Sequence, residues 1–356
     1  MRDWQNKAVR TFFKKHRLLN VGVLLLVFTF LLWIRIARKP AWVVVSDEFP
    51  AMGTVVEIQI VCLSNNIKAA GDALEAARDE ISRLESLMSP NISTSDIYRI
   101  NQKAASEPVE ISAETFDVIK NALALSEKTD GAFDITFASV AKLWSLKPEA
   151  PRIPTDDEIA IKLHMVNYKN VILDEGNRTV KFAQEGMEIG LGGIAKATAV
   201  ERAVNIIKER GYSDALVNAG GDIYAMGFNA KRKPWRIGIR HPRDNTKFLK
   251  EIDVSNIAVF TSGDYERVVE VDGKRYHHLF DPQTGKPAEK CISATVIAHD
   301  IKTVAGLSAS VFILGPEKGL ELIRTIPAAD ALIVTPDLAV HSTEFFQKYE
   351  GSIPEN

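Results

Sequence analysis

The chain has 356 residues, of which 46% are hydrophobic and 25% are charged, and its formal net charge is −2. These values are ordinary for a globular protein and exclude disordered, collagen-like and coiled-coil classes. The near-neutral charge gives no basic footprint for nucleic acid, so we expect no nucleic-acid partner. The length suits one large domain or two closely packed ones.

The first feature along the chain is an apolar run over residues 18–34 that contains no charged side chain. At about 1.5 Å per residue it nearly crosses a hydrocarbon core roughly 30 Å thick, and Trp33 lies where a membrane interface would be. A buried core helix is the alternative, but such a helix rarely carries apolar residues on every face. The run therefore predicts a single transmembrane anchor over residues 18–36.

The charges on either side of this run predict its orientation. Arg2, Lys7, Arg10, Lys14, Lys15 and Arg17 precede it, whereas Arg35, Arg38 and Lys39 follow it. Because the flank richer in lysine and arginine stays in the cytoplasm, residues 1–17 should form a cytoplasmic basic segment. Residues 41–350 should then form an exported domain on the periplasmic side of the inner (cytoplasmic) membrane. A cleaved signal peptide would need a shorter apolar stretch and a small-residue cleavage site, so an uncleaved anchor is favoured.

Cys62 and Cys291 are the two cysteines of the sequence. Neither belongs to a CxxC pair or accompanies clustered histidines, which argues against a zinc site. Two buried free thiols are the simplest expectation, and a disulfide stays open for an oxidising compartment.

Hydrophobic periodicity predicts helices over Ile67–Met88, Ala113–Lys128 and residues 193–210. Strands are predicted at residues 42–46, 54–61, 215–218, 235–239, 257–260, 267–270, 293–298 and 331–334. A helix-rich stretch followed by a strand-rich one indicates an α+β fold rather than a doubly wound parallel sheet. The proline-bearing loop at residues 147–158 is the best place for an internal domain boundary.

Four polar, glycine-bearing segments stand out because packing a core does not require them. They lie at residues 192–196, 218–222, 261–267 and 277–285. The first begins a predicted helix, where free N–H groups and Lys196 suit a phosphate or pyrophosphate. In the fourth, His278 is suited to a general base near a metal or phosphate, although a surface turn capped by Asp281 explains the same residues. Each segment alone is a weak signal.

Taken together and in order, these segments resemble the ApbE family, the FAD:protein FMN transferases. The matching stretches are MGT at 52–54, DGAFDIT at 130–136, LGGIAK at 191–196, NAGGD at 218–222, SGDYER at 262–267 and HLFDPQTGKP at 278–287. The resemblance runs from about residue 45 to 340, nearly the whole expected exported part. It implies an α+β flavin transferase fold that holds FAD between its strand-rich and helix-rich parts.

The resemblance also implies a reaction and a set of site residues. FMN would pass from FAD to a threonine hydroxyl of an exported redox protein, forming a phosphoester and releasing AMP, with Mg²⁺ as cofactor. His278 matches the histidine that deprotonates the acceptor threonine. Flavin and adenine contacts fall by position on Met52, Asn91, Gly131, Ala132, Phe133, Gly190, Lys196 and Leu279. The metal positions fall on the backbone carbonyl of Gly193, on Asp281, and on Ala305 and Ala309.

The sequence departs from the family pattern at the metal. Counting back from Gly315, the family's metal-binding aspartate falls on Ala305 and its threonine on Ala309. Neither alanine offers a side-chain oxygen, whereas Mg²⁺ demands near-octahedral oxygen coordination. No acidic residue lies between Lys302 and Pro316. We expect the two alanines to occupy positions i and i+4 on one helix face.

Three functions follow from the resemblance and its departures. The first is an FMN transferase that acts on an exported redox protein. The second is a FAD-holding relative with weakened catalysis, and the third is a pyrophosphatase that hydrolyses FAD to FMN and AMP. The retained Lys196, His278 and Asp281 favour the enzyme, whereas Ala305 and Ala309 favour the binder.

Overall fold

The computed structural model describes residues 28–29 and 40–349, so nearly all of the predicted anchor over residues 18–36 lies outside it. In the part of the chain that it describes, no helix is both long enough and apolar enough to cross a membrane. Among the described residues, Val43–Cys62 and residues 66–349 form one compact unit. The internal boundary predicted at residues 147–158 is therefore wrong. Ser145 and Arg152 exchange backbone hydrogen bonds of 3.0 and 2.9 Å across this loop, which closes it into a local turn.

The strands, in chain order, are β1 (Trp42–Ala51), β2 (Thr54–Leu63), β3 (Val109–Glu110), β4 (Val171–Asp174), β5 (Thr179–Phe182), β6 (Ala215–Ala219), β7 (Asp222–Met226), β8 (Trp235–Arg240), β9 (Phe248–Val254), β10 (Ile257–Gly263), β11 (Val268–Val271), β12 (Lys274–His277), β13 (Phe280–Asp281), β14 (Lys286–Pro287), β15 (Ser293–Ala298), β16 (Ala329–Val334) and β17 (Val340–Ser342). The helices are α1 (Ile67–Met88), α2 (Asp96–Lys103), α3 (Ala113–Lys128), α4 (Ala138–Ala141), α5 (Asp156–Leu163), α6 (Ala195–Glu209), α7 (Ile301–Val304), α8 (Leu307–Leu314) and α9 (Pro316–Arg324). Short 3₁₀ helices lie at Ile135–Phe137, Tyr168–Asn170 and Glu344–Tyr349.

A central sheet of eight strands has the order β1-β2-β6-β7-β10-β15-β16-β17. From β2 to β17, every neighbouring pair in this order is antiparallel. Antiparallel neighbours with helices gathered on one side are the mark of an α+β fold. The predicted fold class is confirmed in this respect.

The central sheet separates two hydrophobic cores, and alternation along β10 shows how. Ala258 and Phe260 belong to the large core on the helix side, whereas Ile257 and Val259 belong to a smaller core on the other side. Successive side chains of a strand point to opposite faces, so a strand covered on both faces is apolar throughout. The β8–β9 hairpin covers the second face.

The helix α1 has the bounds that its periodicity predicts. Its buried side chains recur at helical spacing and include Leu74, Ile81 and Leu84, and the helix ends at Met88, with the extended residue Ser89 as its C-cap just before Pro90. Proline disfavours helical geometry in the residue before it, which explains the stop. The predicted bounds of α3 are confirmed as well.

The two cysteines are free and buried, as the simplest expectation held. Burial raises the pKa of Cys62 and raises that of Cys291 to about 12. Both thiols therefore stay protonated at neutral pH and pack as small apolar groups.

Candidate active site

A cleft of about 820 Å³ lies on the helix side of the sheet. All six motif stretches that carry the family resemblance contribute to its wall. The predicted site residues that line it are Met52, Asn91, Ala132, Phe133, Gly190, Gly193, Lys196, His278, Leu279 and Ala309. Segments more than two hundred residues apart in sequence therefore meet in one cavity of a size typical of ligand sites.

Three predicted site residues are not part of the cleft wall: Gly131, Asp281 and Ala305. Gly131 has a φ of 77°, and its N–H donates to Ser126 O at 2.8 Å. This is the left-handed turn that ends a helix, so its role is to redirect the chain toward Ala132. The Asp281 side chain accepts from Gln283 N–H at 2.9 Å and so caps its own turn, as the alternative interpretation held.

The expectation that Ala305 and Ala309 share one helix face is wrong. Ala305 is the residue after α7, and Gly306, with a φ of 71°, is the N-cap residue just before α8. A left-handed residue interrupts a right-handed helix, so the two alanines belong to different elements. A Cβ at Gly306 would come within 2.7 Å of Leu125 Cδ2 and 3.0 Å of Phe133 Cε2, which explains why glycine stands there.

The turn between β1 and β2 gives the first motif its shape. Met52 and Gly53 have φ of 53° and 68°, as tight two-residue hairpin turns require. For a residue with a side chain this conformation costs on the order of 1 kcal/mol, and such strain often occurs at functional sites. Arg267 Nη2 donates to Gly53 O at 2.9 Å, and this hydrogen bond joins the MGT stretch to the SGDYER stretch.

The paired glycines of the NAGGD stretch, Gly220 and Gly221, also form a two-residue turn, between β6 and β7. Gly221 N–H donates to Asn218 Oδ1 at 2.9 Å. A Cβ on Gly220 would lie 2.1 Å from Thr54 Oγ1, so the close approach of another motif requires glycine there. These glycines therefore serve both a tight turn and a close approach between two segments.

Lys196 lies in the first turn of α6, where its side chain pairs with a buried carboxylate. Its Nζ is 3.1 Å from Asp222 Oδ2. Burial raises the pKa of Asp222, while the neighbouring ammonium opposes that change. Asp222 was not among the predicted site residues, although its position at the end of the NAGGD stretch was the signal that pointed to it.

His278 presents a buried nitrogen to the same region. Its Nδ1 has no hydrogen-bond partner among the described residues. Burial, followed by the nearby positive charges of Arg267, His277 and Lys196, lowers the pKa of His278 to about 3. The imidazole is therefore neutral at neutral pH and able to accept a proton. Its neighbour His277 is buried and bonds Ala288 O through Nε2 at 3.0 Å, which is a structural role.

The carboxylates of the cleft do not form a metal site. Asp134 accepts from Thr136 and Tyr168 backbone N–H groups, and Asp222 pairs with Lys196. Over residues 28–29 and 40–349, no group of three or more histidine, cysteine, aspartate or glutamate side chains is placed to hold a metal. With alanine at 305 and 309, the side chains present do not fit Mg²⁺, which needs several oxygen ligands in octahedral geometry.

Aromatic rings form another part of the wall. The rings of Phe137 and Phe280 stack with centroids 5.2 Å apart, and both residues line the cleft. Trp144 packs on the outer side of Phe280 at 5.2 Å. Aromatic faces favour flat ring systems, so the cavity combines cations for phosphate with surfaces for rings.

Comparison with known proteins shows the family of the chain. The model of the ApbE family matches residues 52–333, well over half of the chain. The chain belongs to the ApbE family. As an ApbE protein, it retains the cleft motifs in their family order.

Two relatives illustrate the similarity in sequence. A protein of Treponema pallidum (strain Nichols) named FAD:protein FMN transferase is 33% identical over 286 residues, which cover 76% of this chain and 79% of that protein. A Vibrio cholerae protein of the same name is 31% identical over 312 residues, which cover 85% and 89%.

Two solved structures share the ApbE fold. The ApbE protein of Thermotoga maritima has a TM-score of 0.80 and 35% identity, covering 87% of this chain and all of that one (100%). The flavin transferase ApbE of Vibrio cholerae has a TM-score of 0.75 and 27% identity, covering 87% and 100%. The family and fold implied by the sequence motifs are thereby confirmed.

Proposed function

We propose that this chain is a FAD:protein FMN transferase. The observation that carries the proposal is the neutral His278, whose Nδ1 is buried without a partner in the described structure, in the same cleft as Lys196 and Arg267. A proton acceptor beside two cations suits a reaction in which a hydroxyl attacks a phosphate. The relatives from Treponema pallidum and Vibrio cholerae bear the name of this activity.

In the proposed reaction, the threonine Oγ of an exported redox protein attacks the FMN phosphorus of FAD. A bond forms between Oγ and that phosphorus, and the bond from the phosphorus to the bridging oxygen breaks. AMP leaves with the bridging oxygen, while His278 takes the hydroxyl proton and later releases it to solvent. The product is FMN joined to the acceptor through a phosphoester.

Binding of FAD should raise the pKa of His278, the proposed base. In the free chain, Arg267 and Lys196 help to hold the pKa of His278 low. A pyrophosphate placed among these cations brings opposing negative charge, which raises that pKa. His278 then becomes a stronger proton acceptor once FAD is in place. The side chains of Ala305 and Ala309 supply no ligands for the Mg²⁺ that the family resemblance implies.

FAD should bind more tightly than FMN, because the cations and the helix start suit a pyrophosphate. The measurement is a fluorescence titration of the full chain in detergent with riboflavin, FMN and FAD. Equal affinity for all three flavins would contradict a dinucleotide site.

Alanine at 305 and 309 favours a second candidate, a FAD-holding relative with weakened catalysis. One experiment separates the candidates: the full chain is incubated with FAD and a candidate exported redox protein, and intact masses are measured. A mass gain of one FMN on the acceptor supports the transferase. Bound, intact FAD supports the binder, and cleavage of FAD to FMN and AMP without transfer indicates a pyrophosphatase.

The proposal includes a location. Residues 1–17 remain in the cytoplasm, residues 18–36 anchor the chain in the inner membrane, and the domain from about residue 41 acts on the periplasmic side. The asymmetry of lysine and arginine around the apolar run supports this orientation. Protease added to cells with a permeable outer layer should digest the domain, and protection of the domain would contradict the orientation.

A further inference from the structure

We infer that this chain binds the pyrophosphate of FAD without a divalent cation, using a helix start and two basic side chains in its place. The inference rests on the proposed function, because it concerns the same substrate in the same cleft. It concerns binding alone and specifies no chemical step.

The side chains available in the cleft do not suit a divalent cation. Ser262 and Ser308 bring hydroxyls into the cleft near Ala309, but they bond each other at 2.9 Å. A hydroxyl pair without a carboxylate is a poor magnesium site, since Mg²⁺ is usually held by one or two carboxylates. Asp281, the remaining acid in the set implied by the family, caps its own turn.

The start of α8 forms part of the cleft wall. Gly306 precedes this helix and offers no side-chain cap, and the first backbone bond runs from Ser310 N–H to Gly306 O at 3.1 Å. Ser308 and Ala309, which come before that first donor, line the cleft. N–H groups at a helix start, together with the helix dipole, stabilise an anion. The small side chain of Ala309 leaves these N–H groups accessible to a phosphate. A carboxylate at position 305 would instead repel a phosphate unless a cation lay beside it.

The charge around His278 also favours an anion. At neutral pH the charged groups that act on its ring are Arg267 and Lys196, both positive, and Lys196 pairs with Asp222. The field at this part of the cleft is therefore positive. An anion placed there is stabilised by groups that belong to the chain.

The test is FAD binding by the full chain in detergent, measured by flavin fluorescence in excess EDTA and in excess MgCl₂. We expect the two dissociation constants to agree within about tenfold. A loss of affinity in EDTA greater than that would overturn the inference. Absence of FAD binding in both buffers would overturn the proposed function and this inference with it, whereas a failed transfer assay with intact binding concerns the proposed function alone.

Two variant sets make the test sharper. The double variant Ala305→Asp/Ala309→Thr should bind FAD less well in EDTA and regain affinity in MgCl₂, because the new carboxylate repels phosphate until a cation joins it. The uncharged control Ala305→Asn/Ala309→Val should stay insensitive to EDTA. A double variant with no response to MgCl₂ would contradict the placement of the phosphate beside α8.

The second set tests the basic side chains. Arg267→Gln should weaken FAD binding about tenfold, the order expected for loss of a charge-assisted contact, and leave riboflavin binding unchanged. Arg236→Gln is the matched control, since Arg236 pairs with Asp253 on the β8–β9 hairpin. Equal loss of FAD and riboflavin affinity would show a structural role for Arg267 and overturn its part in phosphate binding.

Discussion

Lys196 Nζ lies 3.1 Å from Asp222 Oδ2, and this ion pair ties the start of α6 to the start of β7. The two side chains are 25% and 12% exposed, so water screens the pair only weakly. The pair fixes Lys196, the lysine that we propose binds phosphate, at the cleft wall and places a positive charge beside the carboxylate of Asp222.

Removing one member of this ion pair should lower the free energy of unfolding more than removing both members. Lys196→Met leaves Asp222 as a buried charge without its cation and should lower the free energy of unfolding by on the order of 3 kcal/mol. Lys196→Met/Asp222→Asn should recover much of that loss, since no unpaired charge remains. Urea denaturation of both variants is the measurement, and additive losses in the double variant would contradict the coupling.

His278→Ala should lower FMN transfer by about 10²- to 10⁴-fold, the range expected for loss of a general base. FAD affinity should stay nearly unchanged, because the base acts mainly in the transition state. His299→Ala is the control, since His299 is exposed and contacts Asn256 O, away from the cleft wall. If transfer and FAD affinity fell together in His278→Ala, a structural role for His278 would be the better account.

The low pKa of His278 also predicts how stability depends on pH. In the unfolded chain this imidazole titrates near its ordinary value of about 6.5, whereas in the folded chain its pKa is about 3. As the pH falls below about 6.5 the unfolded state binds the proton first, so this contribution to stability is lost progressively down to about pH 3. His278→Asn should lose less stability than the unaltered chain between neutral and mildly acidic pH in urea denaturation. Equal losses would show that other groups dominate.

Gly306 combines a left-handed backbone with close neighbours, so Gly306→Ala should be destabilising. Backbone strain alone costs about 1–3 kcal/mol, and the added Cβ would also crowd Leu125 and Phe133. Gly71→Ala is the matched control, because Gly71 lies within α1 with open space around it. That change should stabilise the chain by about 0.5–1 kcal/mol. Thermal unfolding of the two variants in opposite directions is the expected result, and a neutral Gly306→Ala would argue against the strain.

Elements whose stability depends on local periodicity were predictable from the sequence. The helix Ile67–Met88 carries its own apolar stripe and its own stop at Pro90, so its bounds could be read directly. The helix expected from residue 193 begins instead at Ala195, because Ile194 and Ala195 N–H groups donate to Leu191 O and form a turn first. Boundaries at glycines depend on such single hydrogen bonds, which residue type does not specify.

The candidate site was predictable as a set of segments but not as a geometry. Ordered motifs identified Lys196 and His278, whereas the partner Asp222 and the contact of Arg267 with Gly53 depend on segments far apart in sequence. Alignment alone also placed Ala305 and Ala309 on one helix. Gly306 breaks that helix in the packed structure, where Leu125 and Phe133 leave no room for a side chain.

The sequence by itself determined the family and the α+β class, and it predicted the loss of two metal-ligand side chains, because each depends on residue types in a fixed order. Tertiary structure alone decided which charged and polar groups face one another. It distinguished His278, whose buried Nδ1 has no partner in the part of the chain that the structure describes, from the adjacent His277, which is bonded to the backbone. The physical reason is that burial and electrostatic fields are set by all the segments packed around a group, and sequence neighbours supply only a small part of them.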